Sequence, residues 1–204
     1  DADFGLRGGP DGFGFEMGNG SLTLALDAFA RLTAGAVLVQ YTDSERSFTA
    51  GDTLTVGTLA YTVQENIAAG TVAFAVEDFA AGVAGFASLS GDLGFRKAGD
   101  QIVATGSAVD ARLEASDSVY ARLTGADFGL LLDATTFGFE LTGGVLDLAL
   151  APLANLSADS VAVRYTNADT LIAAGTTLAV GAVSYTFTEQ ILPDTVAFAV
   201  DGLT

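Results

Sequence analysis

The chain contains no cysteine, no histidine and no tryptophan, and it has a single lysine and three prolines in 204 residues. Without cysteine, no disulfide can staple the fold and no thiolate can act as nucleophile or ligand. Without histidine, the commonest general base and imidazole ligand are missing as well. Positive charge is scarce: seven arginines and Lys97 stand against 25 acidic residues, for a net charge of −17. No basic run is present, and a nucleic-acid surface needs clustered cations, so nucleic acid is excluded as a partner. No stretch approaches the 18 or so uninterrupted apolar residues of a membrane-spanning helix, so no transmembrane segment is expected. There is no Gly-x-Ser-x-Gly elbow, no Walker phosphate loop and no dinucleotide fingerprint. The glycine-rich run Gly8-Gly9-Pro10-Asp11-Gly12 reads as a variable loop.

What is present is a repeat. Residues 2–80 align with residues 126–204 at a constant offset of 124, without a gap, and 37 of the 79 pairs are identical. Half of all residues are hydrophobic and only 16% are charged, so the chain is expected to fold. The repeat divides it into a first unit, residues 1–124, and a second, truncated unit, residues 125–204. Within the first, residues 2–80 form the repeated core and residues 81–125 a linking β segment of the same pattern. The first residue falls at the position equivalent to Gly125 and the last at that of Ala80, so both ends read as cuts in a longer array. A long-period repeat points to scaffolds and extended surfaces rather than to one catalytic pocket.

The apolar pattern has period two, which argues for half-buried strands. Leu22, Leu24 and Leu26 alternate with Thr23, Ala25 and Asp27, and Val109, Ala111 and Leu113 with Asp110, Arg112 and Glu114. Val72, Phe74 and Val76 alternate with Ala73, Ala75 and Glu77. That small face either carries a second layer, from this chain or a neighbour, or is partly exposed. Gly18-Asn19-Gly20 and its counterpart Thr142-Gly143-Gly144 predict hairpin loops between residues 13–17 and 22–26 and their second-copy equivalents. Gly57-Thr58 and Gly181-Ala182 predict two-residue type II′ turns. Residues 28–32 fit either a short helical turn or continued alternation. In the spacer, Leu93-Gly94-Phe95 matches Phe13-Gly14-Phe15, and Ala111-Arg112-Leu113 matches Ala30-Arg31-Leu32, which suggests three diverged subunits of roughly 40 residues in each unit.

The fold class expected is all-β: a tandem-repeat elongated β-solenoid or continuous β-sandwich rod rich in antiparallel hairpins. Separate β-sandwich domains are the alternative. No polar, Pro- or Gly-rich linker marks a boundary between units, which favours the continuous rod.

Chemistry is sparse. Glu16 and Glu140 recur, as do Asp3 and Asp127, and paired carboxylates are the remaining catalytic route. The simpler expectation is that the aspartates bond nearby backbone amides and the glutamates decorate the wet face, so no catalytic or cofactor-binding residue is assigned. Calcium is the one cofactor candidate: Asp43 and Glu45, and their counterparts Asn167 and Asp169, place oxygen ligands on alternate residues of an equivalent loop.

The run Val83-Ala84-Gly85-Phe86-Ala87-Ser88-Leu89-Ser90-Gly91-Asp92-Leu93-Gly94-Phe95-Arg96-Lys97-Ala98-Gly99-Asp100 is followed by Ala126-Asp127-Phe128-Gly129-Leu130 and Tyr165-Thr166-Asn167. This wording resembles the repeat arrays of giant bacterial surface proteins, the adhesin- or haemagglutinin-like polypeptides of marine and photosynthetic bacteria. The resemblance implies secretion, an extended β-architecture at the cell surface, and a role in adhesion, aggregation or surface layers. Its partners would be neighbouring repeats, further copies, or cell-surface glycans. The alternative functions are a calcium- or glycan-binding extracellular module and, behind it, a carbohydrate-active β-helix enzyme using carboxylates.

Overall fold

The computed structural model describes residues 2–26 and 29–204. Asp27, the last residue of the first alternation, and Ala28, where the reading of residues 28–32 begins, lie outside them. Ala30, Arg31 and Leu32 are strand. The protein is all-β. Its strands are β1 Asp3–Gly9, β2 Gly12–Leu26, β3 Ala30–Thr42, β4 Thr53–Val56, β5 Leu59–Thr62, β6 Thr71–Val83, β7 Ala87–Ala98 and β8 Gln101–Ser116, followed by β9 Val119–Leu132, β10 Phe137–Leu150, β11 Ala154–Ala158, β12 Ser160–Thr166, β13 Thr177–Val180, β14 Val183–Thr186 and β15 Val196–Asp201.

One antiparallel sheet runs through both halves of the chain in the order β1-β2-β3-β6-β7-β8-β9-β10-β12-β15, with β11 also pairing β10. It does not close into a barrel, so β1 and β15 are its edges. Two small hairpins, β4–β5 and β13–β14, are excursions from this ladder at equivalent points, after β3 and after β12. Both hairpin turns follow the sequence reading: Gly57 and Gly181 have φ of +62° and +59° while Thr58 and Ala182 keep negative φ, as a type II′ turn requires.

The other predicted hairpin loops are not loops. Gly18-Asn19-Gly20 lies inside β2 and Thr142-Gly143-Gly144 inside β10, each strand continuing through. Asn19 takes φ of +56° as part of a register shift between Met17 and Leu22. Positive φ recurs at Asp78, Ala108, Gly125, Gly143 and Gly144, so a line of irregular residues crosses the sheet. Aspartates on neighbouring strands hold this line. Asp92 accepts from the Asp78 amide at 2.9 Å, Asp127 from Ala108 at 2.8 Å and Asp110 from Gly125 at 2.7 Å. The side chain of Asp3, the counterpart of Asp127, accepts from Asn19 Nδ2 at 3.1 Å. Of the recurring aspartates, Asp127 therefore bonds a backbone amide as expected, but at a bulge within a strand, whereas Asp3 bonds a side-chain amide.

The two hairpins lie on the sheet and supply its second layer. Hairpin β13–β14 packs across β6, β7, β8 and β9, and hairpin β4–β5 against β1. The larger core lies under the former, with Ala73, Ala75, Val103, Leu178, Tyr185 and Phe187 among its buried members. A smaller core holds Phe48, Val63 and Ile67. The small face of β6 is thus the covered one, because alanines let the hairpin approach, while Val72 and Phe74 on the opposite face stay exposed.

Candidate functional site

Among the residues identical in the two units are several that seat the hairpins. Along the sheet, Gly5 and Gly14 alternate with Phe4, Phe13 and Phe15, so glycines point to the covered face and aromatic rings to the open one. A Cβ on Gly5 would stand 2.3 Å from Cδ1 of Tyr61, and one on its counterpart Gly129 would stand 2.3 Å from Cδ1 of Tyr185. At Gly14 the obstructing atom would be Cε2 of Phe48 at 2.2 Å, and at Gly138 Cδ1 of Ile172, also at 2.2 Å. These glycines clear space for the rings of Tyr61 and Tyr185 on the hairpins and for Phe48 and Ile172 on the segments that lead into them.

Glu16 and Glu140 correct the wet-face expectation. They share the covered face with these glycines and are 1% and 0% exposed. The Glu16 carboxylate accepts from Gln40 Nε2 at 3.0 Å, from the Tyr61 hydroxyl at 2.9 Å and from the Gln64 amide at 2.9 Å. Glu140 accepts from Arg164 Nε at 2.6 Å, from the Tyr185 hydroxyl at 2.7 Å and from the Thr188 amide at 3.3 Å. Each buried carboxylate therefore ties a hairpin to the sheet beneath it, and its lone pairs are satisfied as burial demands. Burial, together with the carboxylate neighbour, holds the Tyr61 and Tyr185 phenols above the usual tyrosine range. The recurring Tyr-Thr element adds a second tie. Thr42 donates to the Ala68 carbonyl and accepts from the Thr71 amide, and Thr166 does the same with Leu192 and Thr195.

The calcium candidates lie at the start of each excursion. Asp43 accepts from the backbone amides of Phe13, Glu45 and Arg46 at 2.5, 3.1 and 2.9 Å. Its counterpart Asn167 accepts from the Phe137 amide at 3.2 Å and from the Thr170 hydroxyl, and donates to the Thr135 carbonyl at 2.6 Å. Glu45 and Asp169 follow two residues later and are exposed. Each pair stands at the base of its own hairpin, and no group of three or more acidic residues among the described residues is arranged to hold a metal ion. What this geometry supplies is a cap on the loop.

The cap has a pH consequence. The Phe13 amide foremost, then those of Glu45 and Arg46, holds the Asp43 carboxyl below the usual carboxylate range. A depressed folded-state pKa stabilises the protein above the unfolded value, and that stabilisation is lost as pH falls through the folded value. Asn167 keeps the bond equivalent to that of the Phe13 amide without a charge, and takes the Thr170 hydroxyl in place of the other two amides. Asp43→Asn is therefore expected to keep the fold and to flatten the acid side of a melting-temperature profile; a profile as steep as the parent's would contradict this role.

The open face carries cross-strand aromatic pairs. Phe13 and Tyr41 lie 5.9 Å apart, Phe74 and Phe95 5.8 Å, and Phe137 and Tyr165 5.0 Å. Beyond the bulges, Leu32, Ala81, Leu89, Ala111, Leu123 and Leu146 pair in turn across six strands and line a shallow apolar groove of about 670 Å³. Beside this row, Arg31, Gly82, Ser88, Arg112, Arg122 and Asp147 pair likewise, so three arginines share one face. Acidic groups temper them. Arg112 bonds Glu114 at 3.0 Å and stacks over Tyr120, whose hydroxyl donates to Asp147 at 2.8 Å.

The two hairpins differ most at their tips. Val180 and Val183 are 2% and 3% exposed, whereas their counterparts Val56 and Leu59 are 79% and 77% exposed. The second hairpin has four strands on which to rest. The first lies over β1, the sheet edge, and its tip has no strand beneath it. Val180→Asp is expected to destabilise the fold severely by burying an unpaired carboxylate, while Val56→Asp stays within about 0.5 kcal/mol of the parent in urea unfolding. Equal effects would contradict the asymmetry.

No protein-family model, curated protein or solved structure matches the chain.

Proposed function

We propose that the chain is a structural repeat segment of a large secreted bacterial surface protein, a length of an extended rod, filament or adhesive stalk of the adhesin-like kind. One observation carries this reading. Four of the 37 identical pairs, Gly5 and Gly129, Gly14 and Gly138, Glu16 and Glu140, and Tyr61 and Tyr185, lie where hairpin meets sheet. What recurs is the means of laying a hairpin on a strand, and the reading assigns the chain no reaction. The uninterrupted ladder adds support, since β7 and β8 of the spacer join the two units within one sheet. A continuous rod follows from repeating this ladder; separate sandwich domains would break it between units.

The reading places the chain outside the cell, its partners being neighbouring repeats. Calorimetry of the chain is expected to give a single cooperative transition, because the second hairpin rests on strands of both units and cannot melt without uncovering them. Two independent transitions, one for each unit, would count against the rod.

A further inference from the structure

We propose that two copies of this chain pair face to face through the open side of the sheet, with their ladders parallel and their strands reversed. The proposal rests on the reading of the chain as a rod segment and adds the partner and its orientation.

Strand β7 shows how far the open side extends. Along it Ala87, Leu89, Gly91, Leu93, Phe95 and Lys97 alternate with Ser88, Ser90, Asp92, Gly94 and Arg96. The lining of the apolar groove and the aromatic rings therefore lie on one side of the sheet. The bulges on neighbouring strands keep their side chains in phase with β7, Ala81 standing beside Leu89 and Phe74 beside Phe95. Followed through the ladder from β2 to β10, Lys97 is the only charged side chain at an open-side position among the described residues. Asp92, Asp110 and Asp127 fall on the other side, as do Arg31, Arg96 and Arg112. A chain of net charge −17 thus keeps one side of these strands free of carboxylates, so a second copy can approach it without repulsion there.

Large apolar groups on that side are identical in the two units: Phe13 and Phe137, Phe15 and Phe139, Tyr41 and Tyr165, Leu24 and Leu148. On the opposite side the equivalent positions drift, with Thr23 replaced by Asp147 and Gln40 by Arg164. Phe74 lies well inside the ladder and is still 44% exposed. Continuing the ladder would lengthen this face and leave it uncovered. Its size suits a stable dimer. Seven strands about 4.8 Å apart, crossed over the ten residue steps from Ala87 to Lys97 at about 3.4 Å each, outline roughly 1,100 Å². A standard interface needs about 800 Å² from each partner.

Relief along the strands sets the orientation. On one side of the line of bulges stand the rings of Phe15, Tyr41, Phe74, Phe95 and Phe139. On the other, Ala30, Ala81, Ala87, Ala111 and Ala121 let the surface sink into the groove of about 670 Å³. A two-fold axis running along the ladder at the bulges turns one sheet over and reverses its strands. The rings of each copy then enter the groove of the other, with Phe74 over Ala81 of its partner. Such a contact is isologous, and because the axis follows the ladder it recurs at every unit of two parallel rods.

Sedimentation equilibrium of the chain is expected to give twice the chain mass. Phe74→Glu should yield a folded monomer, while Ser88→Glu, on the opposite side of β7, stays dimeric. Orientation is read on the otherwise native face with a nitroxide on Lys97→Cys, the sole cysteine, at the end of the middle strand of the seven. Reversed strands place the two labels about 35 Å apart, whereas aligned strands would bring them within about 20 Å. A monomeric parent chain, a Phe74→Glu dimer, a label separation below 20 Å, or a monomer that instead binds vesicles of phosphatidylethanolamine and phosphatidylglycerol would overturn the pairing. A monomeric chain beside native material that is a continuous fibre would reject the pairing and leave the rod reading standing.

Discussion

Replacing Glu140 by alanine is expected to lower stability by about 3–5 kcal/mol, the range for breaking a buried ion pair by removing one partner. Three groups lose their acceptor together: the Arg164 guanidinium, the Tyr185 hydroxyl and the Thr188 amide. The urea midpoint should fall while its slope stays close to the parent's, because the unfolded state is little changed. The first unit shows how to separate the charge from the tie. There the equivalent carboxylate, Glu16, bonds neutral Gln40. Arg164→Gln reproduces that pair and should cost far less than Glu140→Ala, even though Arg164 also bonds Glu189 at 2.8 Å. Glu16→Ala, which strands no cation, should fall between the two. If Glu140→Ala were neutral, the carboxylate could not be what fastens the hairpin.

The second large effect concerns the core beneath β13–β14. Phe187 is fully buried, and its ring meets that of Tyr185 edge-on at 5.3 Å. Phe187→Ala is expected to cost about 3–5 kcal/mol through lost transfer energy and the cavity left behind. The repeat again supplies a control. Phe187 and Ile172 correspond to Val63 and Phe48, so the large and smaller side chains exchange places between the units. Phe187→Val alone should open a void, and Ile172→Phe alone should crowd Gly138. Together they rebuild the packing of the first unit, so their combined cost should be smaller than the sum of the singles. Strict additivity in a double-mutant cycle would show that the two sites do not share a cavity.

Several of these features were legible in the sequence, for reasons that differ by residue. Gly57 and Gly181 stand between short alternating runs, and only a tight turn fits there. Gly18-Asn19-Gly20 carries the same turn chemistry, yet it marks a bulge inside β2. Left-handed backbone serves a turn and a bulge equally, and only the neighbouring strands decide between them. The small face of Ala73 and Ala75 left a covering layer and partial exposure equally open, and hairpin β13–β14 decides for the layer. Glu16 and Glu140 were misplaced because a lone carboxylate on a strand is normally solvated. The available signal was their position: each stands two residues from Gly14 or Gly138 on the small face, and each recurs together with a tyrosine 45 residues later. The burial of Val180 beside the exposure of Val56 was beyond any sequence pattern. Both tips are apolar, and the difference lies in which strands are beneath them.

Electron microscopy of the native material tests the central claim most directly. From β1 to its counterpart β9 the ladder advances by six strands, which at about 4.8 Å per strand gives an axial repeat of roughly 29 Å for each 124-residue unit. The account predicts a continuous fibre with that periodicity. Discrete compact particles joined by mobile connections, with no repeat along their length, would contradict it.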